Sequence, residues 1–232
     1  MMTAIARVGV AAAAVLGGTF LLTPRSGASR EHAVILPAPI SDISLSSNRN
    51  DEAIVFAGGC FWGIQAVFEH VRGVKSAVAG YAGGTMVSPS YEDVSSGTTG
   101  HAESVRVVFD PSQVSLSKLL QVFFSVAHDP TQKNRQGPDV GTQYRSAVLY
   151  TSAEQRTATE SYIKQLTDAK AFARPIVTEV GPLKAFYPAE SYHQHYATLH
   201  PDSPYIATYD LPKVAALKEQ FPTLYREELS SK

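Results

Sequence analysis

The chain has 232 residues, 44% of them hydrophobic and 18% charged, which is an ordinary composition for a soluble protein. Its length fits one globular domain with extensions. The formal net charge is -1 at pH 7 and runs of basic residues are absent, so charge gives no case for nucleic acid or acidic lipid as the main partner.

The first thirty residues differ in character from the rest of the chain. A basic start over 1–7 precedes an apolar, charge-free run over 8–22, and small residues follow at 26–28. These features predict a secretory signal peptide over 1–28, because the apolar run is shorter than the ~20 residues that span a bilayer. We therefore expect an exported protein, periplasmic or extracellular, cleaved after Ala28. An uncleaved membrane anchor is the alternative.

The first half of the folded body follows a linker. Residues 29–50 contain prolines and Ser/Asn clusters without a sustained period, which predicts a flexible linker before a single domain over 51–232. Apolar periodicity and Gly/Pro breaks then predict, in order, a buried strand over 53–57, a helix over 61–71, and strands over 74–81 and 102–109.

The second half begins with a helix capped by Ser115 and ends with an aromatic-rich segment. Between them the pattern predicts a functional loop over 128–143, a strand over 145–150, a helix capped by Ser152 that runs to about Lys170, and a strand over 176–180. The segment from Gly181 onward carries many aromatic residues and ends in a short charged helix.

The predicted order βαββαβαβ defines the fold class. A βαβ start with a ββαβ continuation predicts an α/β (α+β) domain whose mixed sheet has flanking helices and a ferredoxin-like or split βαβ core. A long irregular C-terminal segment completes it. No internal repeat is present, so one domain is expected.

Cys60 is the only cysteine and lies between the first strand and the first helix. A lone cysteine in an exported chain indicates intermolecular pairing or a functional free thiol, although a buried apolar cysteine is the alternative. Helix N-termini favour anions, so this position predicts a thiol pKa below the free value of ~8.5. Gly58 and Gly59 allow a tight turn and leave space for a substrate beside the sulfur.

Six short blocks carry a resemblance to a known family. They are GCFWG at 59–63, YAGG at 81–84, PSYEDV at 89–94, GTTGHAE at 97–103, DVGTQYRS at 139–146 and YHQHY at 192–196. The blocks resemble those of A-type peptide methionine sulfoxide reductases, in family order, and cover roughly 53–211. The resemblance implies an enzyme that reduces methionine S-sulfoxide in proteins and peptides.

The resemblance also implies roles for the polar residues. Cys60 matches the nucleophile that attacks the sulfoxide sulfur and becomes a sulfenic acid. Glu103 matches the acid that protonates the departing oxygen, for which burial must keep its carboxyl neutral. Tyr91 and Tyr144 match hydrogen-bond donors to the sulfoxide oxygen. Asp139 matches an aspartate that orders this cluster through water.

The remaining matched residues are aromatic. Phe61 and Trp62 resemble the apolar walls that hold the S-methyl group. His193 and His195 are two apart with no cysteine nearby, so no metal site is predicted and a structural or pocket-lining role is expected. His101 is expected to orient the loop beside the acid.

The tail departs from the family pattern, because many members carry further cysteines near the C-terminus and this chain has none after Cys60. Internal disulfide formation is therefore impossible. The sulfenic acid is expected to persist until an external thiol attacks it. Candidate reductants are a thioredoxin-like or glutaredoxin-like protein or a small thiol, and no other cofactor is implied. Nothing demands more than a monomer.

Two alternative functions pass through the same cysteine chemistry. A one-cysteine thiol peroxidase surrounds its thiol with positive charge, whereas Cys60 is flanked by glycine, phenylalanine and tryptophan. A non-catalytic redox sensor, or a binder of oxidised peptides, needs no acid. The presence of Glu103, Tyr91 and Tyr144 at the family positions argues against that second alternative.

Overall fold

The computed structural model describes residues 36–40 and 51–227, and a mixed β-sheet forms its centre. In chain order the elements are β1 (Glu52–Gly58), α1 (Phe61–Glu69), β2 (Val74–Ala82), α2 (Tyr91–Ser95), β3 (Ala102–Phe109), α3 (Leu116–Val122), β4 (Arg135–Gln136), β5 (Asp139–Val140), β6 (Ser146–Tyr150), α4 (Ala153–Asp168), β7 (Glu179–Pro182), β8 (Phe186–Pro188), α5 (Tyr196–Leu199) and α6 (Leu211–Gln220). Short 3₁₀ and π turns over Phe123–Ala127, Thr142–Tyr144, Ser191–His193 and Ile206–Asp210 lie between them.

The six strands of the main sheet run in the order β7-β6-β1-β3-β2-β8. The inner four are antiparallel throughout, and their order is that of a ferredoxin-like core. Strand β7 pairs in parallel with β6 at one edge, while β8 pairs antiparallel with β2 at the other. The predicted fold class, a mixed sheet with flanking helices, is confirmed.

Local sequence signals located most of the elements correctly. Strand β1 and the helix after it occur where the apolar runs indicated, and strand β3 has the predicted bounds. Ser115 accepts a hydrogen bond from the Lys118 amide and Ser152 accepts one from Gln155, so both predicted helix caps are present.

The second half departs from the prediction in four details. The strand expected over 176–180 is Glu179–Pro182, because its parallel pairing with β6 starts only at Glu179. Strand β8 was missed, since only its pairing with the exposed edge of β2 makes it a strand. The loop over 128–143 contains the two-residue strands β4 and β5, and the supposedly irregular C-terminal segment contains α5 as well as the expected final helix α6.

The core joins α1 to the sheet. Phe56 of β1 stacks on Phe68 of α1 and on Phe123, with ring centroids 4.8 and 4.6 Å apart, and all three side chains are fully buried. Burying each such side chain contributes about 1.5–3 kcal/mol. This packing fixes α1, and therefore its N-terminal residue, against the sheet.

Residues 36–40 lie against α4. The Pro37 carbonyl accepts a hydrogen bond of 2.9 Å from the Tyr162 hydroxyl. The Ala38 carbonyl accepts one of 2.8 Å from the side-chain amide of Gln165. These five residues are the part of the predicted flexible linker over 29–50 that the structure describes, and the linker stays a prediction. The predicted signal peptide over 1–28 lies outside the described residues. In the part of the chain that the structure describes, no helix combines the length and apolarity needed to cross a bilayer.

The sheet register brings the site together at one edge. Phe56 pairs with Val105, Gly58 with Ser146, and Tyr81 with Glu103. The end of β1, the start of β3 and the start of β6 therefore lie side by side. The residues that follow or precede these strand ends must converge at the same edge.

Candidate active site

Cys60 lies at this edge as the residue that precedes α1, and its side chain is mostly buried, with 9% exposed. The turn before it depends on Gly59, whose φ is +95° and where an added Cβ would come within 2.5 Å of the Gln136 Cβ. Only glycine adopts that φ without strain. The predicted placement of a thiol at the strand-to-helix turn is therefore present in the structure.

Glu103 lies beside this turn. Its Oε2 accepts a hydrogen bond of 3.0 Å from the backbone amide of Phe61, the residue directly after Cys60. The side chain is 3% exposed, and burial raises the pKa of Glu103 to about 8. Negative charges on Asp139 and Asp210 act in the same direction, while the Phe61 amide opposes them. The carboxyl is therefore neutral at pH 7, as the role of an acid requires.

The predicted lowering of the Cys60 pKa is wrong. Burial raises the pKa of the Cys60 thiol well above its usual range, and the charges of Glu103 and Asp210 raise it further. The Trp62 backbone amide and the Lys213 ammonium act against this rise.

Magnitudes explain the direction of this shift. A helix N-terminus contributes about 0.3–1 kcal/mol to a nearby anion, whereas full burial moves a pKa by up to about 3–5 units of 1.36 kcal/mol each. The burial of Cys60 therefore changes the pKa of its thiol more than the helix N-terminus does. Because Glu103 is itself neutral below pH about 8, its contribution disappears at neutral pH and burial remains the main cause.

Two phenols interact electrostatically with the same pair of groups. Tyr91 begins α2, and Tyr144 ends the 3₁₀ turn before β6. Burial raises the pKa of both phenols, and charges on Glu103 and Asp139 raise it further. Both hydroxyls therefore remain hydrogen-bond donors near neutral pH, within electrostatic reach of Cys60.

Asp139 lies on β5 and accepts a hydrogen bond from the Tyr205 hydroxyl. Burial raises the pKa of Asp139, while that bond and the Lys213 charge lower it. The sequence predicted ordering of the cluster through water, and the structure adds a direct tyrosine partner. Tyr205 belongs to the aromatic-rich segment but was not singled out from the sequence.

An aromatic cage surrounds the residues after Cys60. Phe61 and Trp62 have ring centroids 6.5 Å apart, and Trp62 stacks on Tyr196 at 3.8 Å. Tyr205 meets the Trp62 ring edge-on at 6.1 Å, and His193 lies 5.0 Å from Phe61. The two rings predicted as apolar walls thus lie beside the turn that carries Cys60, and their role in holding a methyl group stays a prediction. The C-terminal segment supplies the other rings of the cage.

Glu190 positions one of the phenol-bearing elements, and sequence reasoning missed it. Its two carboxylate oxygens accept hydrogen bonds from the Tyr81 hydroxyl at 2.8 Å and from the Tyr91 backbone amide at 2.9 Å. One carboxylate therefore ties β2 to the start of α2. The sequence signal that could have identified Glu190 is its position two residues before the YHQHY block.

The histidines have separate contacts. His101 accepts a hydrogen bond from the Gly84 amide and donates one to the Met86 carbonyl, so it holds the loop after β2 as expected. His195 forms a 2.6 Å contact with Glu69. Within residues 36–40 and 51–227, no group of three histidine, cysteine, aspartate or glutamate side chains lies close enough to hold a metal ion.

A family model described as peptide methionine sulfoxide reductase matches residues 52–224. This chain belongs to the peptide methionine sulfoxide reductase family. The family resemblance predicted from the short sequence blocks is confirmed, and the match spans every element that contributes a residue to the site.

Other reductases of the family are similar in sequence and structure. Peptide methionine sulfoxide reductase MsrA 2 of Mesorhizobium japonicum is 56% identical over 177 residues, 76% of this chain and 91% of the relative. The Synechocystis sp. protein of the same name is 49% identical over 210 residues, which cover 90% of this chain and 95% of the relative. Methionine sulfoxide reductase A of Corynebacterium diphtheriae aligns with a TM-score of 0.56 at 35% identity, covering 73% of this chain and 85% of that one.

In this peptide methionine sulfoxide reductase, Gly63 of the GCFWG block faces a buried ion pair. Asp210 and Lys213 are 0% and 8% exposed, with 3.2 Å between Oδ1 and Nζ. An added Cβ at Gly63 would come 2.1 Å from Asp210 Oδ1 and 2.9 Å from Lys213 Nζ. The glycine is therefore required by a contact far along the chain.

Gly63→Ala is expected to destabilise the protein. Alanine gains about 1 kcal/mol over glycine in a helix, but disrupting a buried ion pair costs about 3–5 kcal/mol. We expect the free energy of unfolding to fall by about 2–4 kcal/mol, measured by urea denaturation. A rise of about 1 kcal/mol, the value for helix propensity alone, would contradict the close packing.

Proposed function

We propose that the chain reduces methionine S-sulfoxide in proteins and peptides to methionine. The observation that carries this proposal is the buried Glu103 carboxyl, which accepts a hydrogen bond from the backbone amide directly after Cys60 and whose pKa burial raises. A sulfoxide oxygen leaves readily only when it is protonated. A nucleophilic sulfur beside an uncharged acid therefore matches the needs of the reaction.

The Cys60 sulfur attacks the sulfoxide sulfur while Glu103 transfers its proton to the oxygen. The S–O bond of the substrate breaks, and the oxygen ends on Cys60 as a sulfenic acid. The methionine sulfur is reduced and the cysteine sulfur is oxidised. The proton lost by the thiol restores the neutral Glu103, so one thiol and one sulfoxide give one sulfenic acid and one thioether.

Apolar walls and phenols prepare the substrate for this step. Phe61 and Trp62 enclose the S-methyl group, where a charged or bulkier substituent is excluded. The hydroxyls of Tyr91 and Tyr144 donate to the sulfoxide oxygen and stabilise the charge that develops on it. Asp139 orders the polar cluster through the hydrogen bond that it accepts from the Tyr205 hydroxyl.

Regeneration requires thiols from outside the chain, because Cys60 is the only cysteine. One external thiol attacks the sulfenic acid, releases water and forms a mixed disulfide with Cys60. A second thiol breaks that disulfide and returns Cys60 to its reduced form. We propose a thioredoxin-like or glutaredoxin-like protein, or a small thiol, as this reductant.

A single turnover tests the proposed function. The reduced protein is mixed with excess methionine S-sulfoxide peptide in the absence of thiols. We expect about one methionine per chain and a mass increase of about 16 Da on Cys60, which dithiothreitol removes. Methionine formed while Cys60 stays unmodified would contradict the scheme.

The peroxidase alternative finds less support. Burial raises the pKa of Cys60, the charge of Asp210 raises it further, and the Lys213 ammonium lowers it. Among the residues that the structure describes, the surroundings of Cys60 are therefore apolar and of mixed charge, unlike the positive surroundings on which that alternative depends. We further propose export, on the strength of the apolar segment over 8–22; detection of mature protein that begins after Ala28 tests it.

A further inference from the structure

Gln143 precedes Tyr144 directly in the turn Thr142–Tyr144, and its side chain is buried. Its amide nitrogen Nε2 donates a hydrogen bond of 3.2 Å to the backbone carbonyl of Ser95, the last residue of α2. Tyr91 is the first residue of the same short helix. One buried side chain therefore connects the two elements that carry the proposed phenol donors.

Ser95 extends this connection to one of the phenols. Burial raises the pKa of Tyr91, and a hydrogen bond with the Ser95 side chain acts against this rise. A hydrogen bond that favours the phenolate is one that the phenol oxygen accepts, so the Ser95 hydroxyl is the donor. The Tyr91 O–H is then left to donate to a substrate. Because Glu190 accepts a hydrogen bond from the Tyr91 backbone amide, α2 is held at both of its ends.

The stability of the fold does not account for a glutamine at position 143. Its carbonyl oxygen Oε1 is buried and has no hydrogen-bond partner among residues 36–40 and 51–227. Two glycines lie against this oxygen, since a Cβ added at Gly141 or Gly97 would come 2.2 or 3.3 Å from it. A buried acceptor without a partner costs folding free energy, and an apolar side chain of the same shape avoids that cost. The hydrogen bond to α2, by contrast, needs the N–H donor that glutamine supplies.

We propose that Gln143 is a positioning residue that holds Tyr91 and Tyr144 in fixed relative positions, so that both hydroxyls donate to one sulfoxide oxygen. The inference rests on the proposed function. Two donors stabilise charge on the same oxygen only when each is placed to within about 0.5 Å and 10–20°. Without the hydrogen bond from Gln143 to Ser95, the turn and α2 can move apart and carry the two hydroxyls with them.

Gln143→Met tests the proposal, because methionine has nearly the same shape as glutamine but no N–H donor. We expect the first-turnover rate with saturating methionine S-sulfoxide peptide to fall about tenfold while the half-saturating concentration stays unchanged. This is the effect of one hydrogen bond that is lost in the transition state alone. The unfolding midpoint in urea is expected to stay unchanged or to rise, because the carbonyl oxygen without a partner is removed together with the amide.

Two comparisons separate positioning of the phenols from a general structural role. In a chain that carries Tyr91→Phe and Tyr144→Phe both hydroxyls are gone, so the addition of Gln143→Met should change the remaining rate by less than about twofold. Thr142→Val is the matched control from the same turn. It removes a hydroxyl that donates a 3.4 Å hydrogen bond to the Gly97 carbonyl, just after α2, and should leave the wild-type rate within about twofold.

Each other outcome overturns the proposal. A tenfold loss that persists without the phenols would show that Gln143 acts on the fold at large, and a lower unfolding midpoint in Gln143→Met would assign the residue to stability. An unchanged rate in the wild-type background, or an equal loss in Thr142→Val, would show that this hydrogen bond has no particular part in the reaction. Failure of the proposed function has a different signature, since wild-type protein would then form no methionine from the sulfoxide peptide.

Discussion

Replacing Cys60 with serine is expected to abolish the reduction of methionine sulfoxide. The chain has no second cysteine to take over, and a serine hydroxyl does not accept the sulfoxide oxygen as a sulfenic acid. We expect a loss on the order of 10⁴-fold or more in turnover, as for removal of the nucleophile in other enzymes. The measurement is methionine released from an oxidised peptide with dithiothreitol as reductant.

The same variant should keep its fold. Serine is close to cysteine in size and is a preferred residue before the first turn of a helix, so the stability of α1 should be retained or improved. An unchanged unfolding midpoint would show that the substitution removes the reaction and leaves the fold intact. Turnover that persists in this variant would show that oxygen transfer does not use the cysteine sulfur.

Replacing Glu103 with glutamine is expected to slow the first turnover by about 10²–10⁴-fold while the KM changes little. Glutamine keeps an oxygen that can accept the hydrogen bond from the Phe61 amide, which holds the local structure in place. Its amide, however, is not an acid. The measurement is the rate of methionine formation in a rapid-mixing experiment with excess enzyme.

The pH dependence tests the same residue independently. Because burial raises the pKa of Glu103 to about 8, the active neutral form is present below that pH and is lost above it. The wild-type rate should contain a component that declines as pH rises through about 8, and Glu103→Gln should lack it.

Glu69 offers a matched control for Glu103. It is also a buried carboxyl whose pKa is raised by burial, but it lies at the far end of α1, about 12 Å along the helix from its first residue. Glu69→Gln should therefore leave the first-turnover rate within about twofold of wild type. A wild-type rate in Glu103→Gln would remove Glu103 from the role of acid.

The sequence alone determined the parts of this protein that depend on short-range patterns. The apolar run of β1, the two glycines and the periodic helix after them place Cys60 at a strand-to-helix turn, and the serines before α3 and α4 mark both helix starts. These signals are local because strand pleat, helix period and capping each involve residues a few positions apart.

The tertiary structure decided what surrounds the thiol. Glu103 reaches the turn through the pairing of β1 with β3, and Glu190 and His193 arrive from the C-terminal segment, more than a hundred residues after α1 begins. The tertiary structure likewise decided the direction of the Cys60 pKa shift. Burial is a property of the assembled fold, so a local helix rule predicted the wrong sign, and long-range packing set the chemistry of the site.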